Sequence, residues 1–344
     1  MKQELRQGNA TGLSGLLREE LEENLRRGEQ SILFLNRRGN SRMVVCSQCG
    51  EVPTCPRCSV HLTYHSANGR LMCHYCGHSQ PLPELCPHCY GRLQFVGMGT
   101  QKLQEALEES YPGVEIMRMD ADTITATQSH EVLLDRFRWK QVPILLGTQM
   151  VAKGLDFANV TLVGVVDGDL SLYADNYRAA ERTFSLLTQV VGRAGRGEKL
   201  GRAVIQTWTP DNDVINLAAR QDYDTFYEEE REMRRMLRFP PFLDLFRITL
   251  SGPEETQVLR ACAVIRRSLE PWVKPRQQGP EGPEVLGPAP APVLKVNNRY
   301  RYRVLLKCRN GREIRAVLAQ ILQAAQQDRA NRGLSIAMDV NPMD

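Results

Sequence analysis

Pro143-Ile-Leu-Leu-Gly-Thr-Gln-Met-Val-Ala-Lys-Gly-Leu-Asp-Phe157 decides the fold of this chain. Four residues, Pro143–Leu146, form a short apolar run of the kind that fills a parallel strand buried on both faces. They give way at once to Gly147-Thr148-Gln149-Met150, a small and polar turn. Working outward, the same grammar repeats. Ser31–Leu35 is a buried strand ending in Asn36-Arg37-Arg38-Gly39, and Thr161–Val166 is a strand ending in Asp167-Gly168-Asp169. Leu93–Gly99, Val114–Met119 and Arg202–Thr207 read as further strands. Between them, residues 13–27, 100–111, 126–139 and 179–191 carry amphipathic helical spacing. Strands alternating with helices at this interval predict a parallel α/β sheet with crossover helices. In such sheets ligands bind beyond the carboxyl ends of the strands, which is where these polar turns lie.

A second polar turn follows the helix 179–191: Gln189-Val-Val-Gly192-Arg193-Ala-Gly195-Arg196-Gly197. Glycines beside two arginines let the backbone approach a ligand while guanidiniums project at it. Arginines so placed suit the charge that develops on a transferring phosphoryl group. An ordinary basic helix end would not need Gly192 and Gly195 at those places.

Eight of the ten cysteines sit in the 44 residues from Cys46 to Cys89, in four C-x-x-C pairs at 46/49, 55/58, 73/76 and 86/89. Two such turns complete a tetrahedral four-cysteine zinc site, so four pairs predict two structural Zn2+ ions. Disulfides would need an oxidising compartment, and the chain has no signal peptide and no apolar span of membrane length. A cytoplasmic location is expected. A redox C-x-x-C occurs singly in a thioredoxin-like setting, and iron–sulfur ligation is the other metal alternative. Ser59–Met72 reads as a hairpin turning at Ala67-Asn68-Gly69. Closing it with one zinc on Cys55, Cys58, Cys73 and Cys76 brings Cys46, Cys49, Cys86 and Cys89 together for the second. Sequential pairing is the alternative. The histidines of this stretch are expected to be surface or supporting groups.

The chain has 344 residues, 42% hydrophobic content and a formal charge of +4, enough for two or three domains. Two four-thiolate zinc sites, each carrying two net negative charges, bring that charge to about zero. Nucleic-acid binding must therefore come from local patches, such as Arg37, Arg38, Arg42, Arg57, Arg70 and Arg92 around the cysteine segment. These arginines would equally serve to neutralise thiolates. Residues 1–12 are polar and read as irregular. Residues 211–238 read as helical, ending at Phe239-Pro240-Pro241-Phe242. The rest reads as strand 245–250, helix 254–269, a Pro-rich loop 271–292 with a strand around Val285–Leu286, strand 299–307, helix 311–326 and strand 334–340. That order suggests a ferredoxin-like α+β plait; the Pro-rich stretch could also be a linker between domains. Arg299, Arg301, Arg303 and Lys307 alternate on one strand face, interleaved with Tyr300 and Tyr302, a pattern suited to phosphates and stacked bases. A plain solvated sheet face has the same spacing. Cys262 and Cys308 are isolated and expected to be packed.

The turns at 147–157 and 189–197 resemble motifs V and VI of superfamily 2 helicases. Together with Phe34-Leu-Asn-Arg-Arg-Gly39, the cysteine pairs, Asp175-Asn-Tyr-Arg-Ala-Ala-Glu-Arg182 and Phe239-Pro-Pro-Phe242, they make the chain similar to the primosomal replication-restart helicase family. The resemblance implies a RecA-like second lobe (1–45 and 90–231), a double-zinc insertion (46–89) and a C-terminal α+β domain (232–344). It implies an ATP-dependent 3′-to-5′ DNA helicase that recognises stalled or abandoned replication forks and directs primosome assembly. No G-x-x-x-x-G-K-[ST] loop and no D-E-x-H or D-E-x-D box occurs in the chain. Those belong to a first lobe, so ATP and Mg2+ are expected to bind only when such a lobe precedes Met1. The chain alone is then expected to lack ATPase activity. By the resemblance, Arg196 is the arginine finger, Arg193 its partner facing the nucleotide, and Gln189 couples nucleotide state to closure. Gly192 and Gly195 are expected at the nucleotide, Gly154 and Asp156 near the ribose and the hinge between lobes. Thr148, Gln149, Arg37 and Arg38 are expected at DNA or the lobe interface. Arg299, Arg301, Arg303 and Lys307 are expected at fork DNA or the single-stranded-DNA-binding protein. Other primosome proteins are the further partners, no membrane is involved, and a monomer is expected. The alternative is a zinc-dependent nucleic-acid-binding or assembly module without a motor role.

Overall fold

The computed structural model describes residues 1–7, 9, 12–35, 41–57, 61–65, 69–73, 78–96, 100–119, 130–140, 142–148, 157–173, 176–194, 199–276 and 282–343. In chain order the helices are α1 (Lys2–Arg6), α2 (Gly15–Arg26), α3 (Thr100–Ser110), α4 (His130–Lys140), α5 (Ala179–Val191), α6 (Asp213–Arg220), α7 (Tyr223–Met236), α8 (Glu255–Val273) and α9 (Arg312–Gln327). The strands are β1 (Gln30–Phe34), β2 (Ser41–Cys46), β3 (Thr63–His65), β4 (Arg70–Met72), β5 (Ser79–Pro81), β6 (Leu93–Val96) and β7 (Ile116–Met119). They continue as β8 (Ile144–Gly147), β9 (Val160–Val165), β10 (Arg202–Ile205), β11 (Asp244–Gly252), β12 (Glu284–Val296), β13 (Arg299–Cys308) and β14 (Ser335–Val340). The chain divides into two compact units, 1–53, 83–174 and 179–226 against 54–82, 175–178 and 227–344.

The first unit is built on a parallel sheet in the order β10-β9-β1-β8-β7. Its central strand shows why both faces are covered. Ile32 and Phe34 point into a cluster with Val163, Val165, Phe184 and Leu187, while Leu33 and Leu35 point the other way, onto Leu13, Leu17 and Leu21. Alternation along one apolar strand thus seats α5 on one face and α2 on the other. The first turn of α2 is capped by Ser14, whose hydroxyl accepts from Leu17 N at 3.2 Å. Parallel register sets Phe34 beside Gly147 and Val165, so the turns after β1, β8 and β9 start from one edge of the sheet. β2 and β6 pair antiparallel, with Cys46 opposite Leu93.

The opening residues differ from expectation. They are not irregular, because Lys2–Arg6 is a helix tied in by its polar groups. The Met1 ammonium donates to Thr207 O at 3.1 Å, and Glu4 accepts from Gly15 N at 2.9 Å. The stretch 211–238 is two helices, interrupted where Gln221 takes a left-handed conformation with φ 56°.

In the second unit, β3, β4 and β5 make a small antiparallel ribbon with Thr63 opposite Met72 and Met72 opposite Ser79. β3 and β4 pair antiparallel as the hairpin expectation requires and a third strand extends them, while Ala67 and Asn68 of the expected turn lie outside the described residues. The rest is a four-stranded antiparallel sheet in the order β12-β13-β11-β14, with α8 and α9 as its connections, the plait predicted from element order. Phe246, Ile248, Val304 and Leu306 face Val258, Ile265, Leu269 and Leu318 across the core. Cys262 and Cys308 lie in this core, where burial pushes both thiols up to about 12. The Pro-rich loop expected at 271–292 is corrected: α8 runs to Val273, and Glu284–Val296 is one long strand. Prolines are tolerated there because β12 is the sheet edge, where one side of the backbone needs no ladder partner. Among the described residues no helix is long and apolar enough to cross a membrane.

Candidate functional site

The four outer cysteines come together. Cys46 ends β2, and the turn that follows folds back so that Gly50 N donates to Cys46 O at 3.0 Å, with Gly50 left-handed at φ 71°. The second turn repeats this: Tyr90 N donates to Cys86 O at 2.9 Å, and Tyr90 is left-handed at φ 59°. Leu85 bridges Arg92, and Ser47 N donates to Arg92 O at 2.9 Å, lacing the two turns side by side. Gly91 permits the approach, since a Cβ there would lie 2.9 Å from Cys46 Sγ.

The Sγ atoms of Cys46, Cys49, Cys86 and Cys89 all lie within 4.8 Å of one another. Cys46 and Cys89 are 3.4 Å apart, Cys49 and Cys86 3.7 Å. A tetrahedral zinc with Zn–S bonds of about 2.3 Å spaces its sulfurs about 3.8 Å apart, so the residues fit that ion. Burial opposes the Cys46 thiolate, yet N–H groups of Cys49 and Gln48 and the Cys89 and Cys49 thiols bring it down to about 7. Burial drives Cys49 up to about 12. Four thiols without a counter-charge cannot all ionise, whereas a bound dication deprotonates every ligand. Of the inner pairs, Cys55 and Cys73 are buried at the ribbon, with Cys73 N donating to His78 O at 2.8 Å. Cys58 and Cys76 lie outside the described residues.

On the sheet edge, Thr148 directly follows β8, half-buried, with its N–H reaching Met119 O at 3.4 Å. Gln189 lies on the exposed face of α5, donating to Ser185 Oγ at 3.2 Å. Gly192 and Arg193 form the turn beyond α5. Gly192 N donates to Thr188 O and Arg193 N to Val190 O, each at 3.0 Å. Gln149, Gly154, Asp156, Gly195, Arg196, Arg37 and Arg38 lie outside the described residues.

Two further carboxylates stand at this edge that residue type alone did not mark. Asp169 is fully buried and accepts from Trp208 N at 2.8 Å, from Thr207 Oγ1 at 2.9 Å and from Thr209 Oγ1. It ties the turn after β9 to the turn after β10. Burial, aided by the charge of Asp169, pushes Asp167 up to about 8. The signal was the Asp-Gly-Asp at a strand end.

On the C-terminal strand, the four basic positions separate. Arg299 is half-buried and donates to Ser251 O at 2.9 Å and Gly333 O at 2.7 Å. Arg301 is half-buried. Arg303 is only 7% exposed and Lys307 only 2%. The Lys307 ammonium donates to Leu237 O at 3.0 Å and lies 4.0 Å from the Phe239 ring centre, which itself stacks on Tyr177 at 5.5 Å. A duplex backbone cannot reach groups this deep, so the expectation of a continuous basic row is corrected at Arg303 and Lys307. The spacing of alternate residues was right, but strand periodicity does not reveal what packs on the second face.

Three family models match the chain. "PriA DNA helicase Cys-rich region (CRR) domain" covers residues 55–81, "Helicase conserved C-terminal domain" 90–198 and "Primosomal protein N C-terminal domain" 235–343. Replication restart protein PriA of Bacillus subtilis (strain 168) is 43% identical over 343 residues, 99% of this chain and 42% of that protein. The PriA of Synechocystis is 43% identical over 312 residues, 89% of this chain and 37% of that protein. The PriA of Haemophilus influenzae is 34% identical over 334 residues, 97% of this chain and 45% of that protein. The chain thus spans less than half the length of these relatives. Matched in three successive segments and along nearly all of its own length, it belongs to the PriA family.

Proposed function

We propose that the chain supplies the second motor lobe, the cysteine-rich module and the C-terminal domain of an ATP-dependent 3′-to-5′ DNA helicase that acts in replication restart. The observation that carries this reading is the parallel sheet whose edge launches the turn at Thr148 and whose helix α5 ends in Gly192-Arg193. In a two-lobe motor these are the groups that meet a nucleotide held by the other lobe. Arg196 stabilises the charge of the transferring phosphoryl group, Arg193 faces the same phosphates, and Gln189 couples their state to closure. Gly192 and Gly195 admit the backbone to the nucleotide, while Gly154 and Asp156 sit toward the ribose. Without a loop to cradle phosphates and hold Mg2+, the chain alone turns over no ATP.

Two zinc ions complete the module, one on Cys46, Cys49, Cys86 and Cys89, the other on Cys55, Cys58, Cys73 and Cys76. The gathered outer thiols support the first, and the pairing of Thr63 with Met72, directly before Cys73, supports the second. Four sulfurs leave no open coordination position, so both ions are structural. Contact with fork DNA falls to Thr148, Gln149, Arg37, Arg38, Arg299 and Arg301. The partners are a single-stranded-DNA-binding protein and other primosome proteins, the protein is a monomer, and its place is the cytoplasm. Metal analysis of the purified chain tests the metal half of this reading: two zincs per chain support it, and iron or a single zinc overturns it.

A further inference from the structure

We infer that Lys2 and Arg6 of α1 act as outer cations of the site formed by Cys46, Cys49, Cys86 and Cys89, offsetting the charge of its metal-bound thiolates. The inference rests on the reading of those four cysteines as a zinc site.

The charge of such a site is left unbalanced by its own ligands. Four thiolates on one dication carry two net negative charges. Groups around the ligands then decide how firmly the ion is held, and losing one typically weakens metal binding about 10- to 100-fold. The sequence marked nearby arginines for this task. Of these, Arg92 meets the first cysteine turn through its carbonyl, which accepts from Ser47 N and from Ser47 Oγ, both at 2.9 Å. Two further cations come to that turn from the opening helix, which the sequence had not marked.

α1 reads Lys2-Gln-Glu-Leu-Arg6, and its charges separate by sign. Its acid, Glu4, is turned to the start of α2, where it accepts from Gly15 N at 2.9 Å and from Asn9 Nδ2 at 2.6 Å. Lys2 and Arg6 stand four residues apart, on one face of the helix. Arg6 reaches the cysteine turn directly, its Nη2 donating to Cys49 O at 3.1 Å. Lys2 lays its stem over the next residue: a Cβ on Gly50 would stand 2.5 Å from Lys2 Cγ. Gly50 is also the left-handed residue that closes this turn onto Cys46 O. Glycine is therefore required there both by the turn and by the helix lying on it.

The hydrogen bond from Arg6 is to a neutral carbonyl, so it fixes the guanidinium without cancelling its charge. Among the described residues neither Lys2 nor Arg6 makes an ion pair. Their two positive charges equal the two negative charges of a loaded site. Cys46 is buried and Cys49 half-buried, so water damps the attraction less than it would between exposed groups.

The test is equilibrium competition for zinc between the full chain and a chromogenic chelator. Wild type, R6Q, K2Q, the double variant, R6K and the control R26Q are compared, each checked for melting temperature. Arg26 ends α2 just before β1 begins, at the opposite edge of the sheet. C46S shows which of the two zincs belongs to this site. R6Q and K2Q are each expected to weaken that zinc about threefold or more and the double variant about tenfold or more, with the other zinc and R26Q unchanged. R6K keeps the charge and is expected to keep most of the affinity. The gap between the double variant and wild type is expected to shrink as salt rises from about 0.05 to about 0.5 M, which the loss of a purely structural contact would not do. Metal content that C46S leaves unchanged overturns the zinc reading and this inference with it. Two zincs in wild type, with folded variants that hold both as tightly, overturn the inference alone. A loss that R6K reproduces and salt leaves untouched does the same.

Discussion

Asp169 shows how much one buried carboxylate can organise. It gathers Trp208 N and the hydroxyls of Thr207 and Thr209. Asp169→Ala leaves a buried N–H and two hydroxyls without their acceptor. It is expected to cost about 1–3 kcal/mol, read as a shifted urea midpoint. Asp167 makes a prediction with a sign. Its carboxyl titrates near 8 in the fold, above its ordinary value of 3.8. The folded protein therefore binds more protons than the unfolded chain between those values. Stability falls as pH rises through that window and is level above it, by up to about 1.4 kcal/mol per pH unit. Asp167→Asn removes this dependence, so its stability advantage over wild type should grow from pH 6 to pH 8 and then stop growing. Urea midpoints across that range check it; an advantage that shrinks toward pH 8 contradicts it. At the proposed four-cysteine zinc site, Cys46→Ser is expected to lose one of the two proposed zincs, measured by metal analysis on the folded variant.

Among the elements, those with a strong apolar period were legible from residues alone. The strands of the parallel sheet, α5 and the plait followed from runs such as Ile32–Leu35 and from alternation such as Phe246, Ile248 and Leu250. What was missed has a common cause: polar and proline-rich segments whose order comes from partners distant in sequence. Lys2–Arg6 is held by Thr207 and Gly15, and β12 by the ladder to β13. The cysteine pairs pointed to a metal by spacing and the hairpin to a nested grouping, and the outer four sulfurs do gather, in turns that Gly91 allows to close. The burial of Arg303 and Lys307 was hidden, since spacing assigns a face but not its covering. β12 bulges at Gly287 and Pro288, which offers a test at this scale. Gly287→Ala places a methyl against Arg303 O in a conformation that L side chains avoid. It is expected to cost about 1–3 kcal/mol, detectable by thermal melting.

For the whole molecule, we propose that the parallel sheet, the cysteine module and the plait compose the second half of a two-lobe motor. The arginines assigned that role, Arg193 and Arg196, were read from the spacing of Gln189–Gly197, and Arg196 lies outside the described residues. The most direct measurement is DNA-stimulated ATP hydrolysis, compared between the chain alone, the chain joined to its family's first lobe, and that joined protein carrying Arg196→Ala. The expected result is no turnover by the chain alone, robust turnover by the joined protein, and a loss of about a thousandfold or more in the variant with DNA binding intact. Turnover by the chain alone, or a variant that hydrolyses ATP like its parent, would contradict the assignment of this chain as the second half of a two-lobe motor.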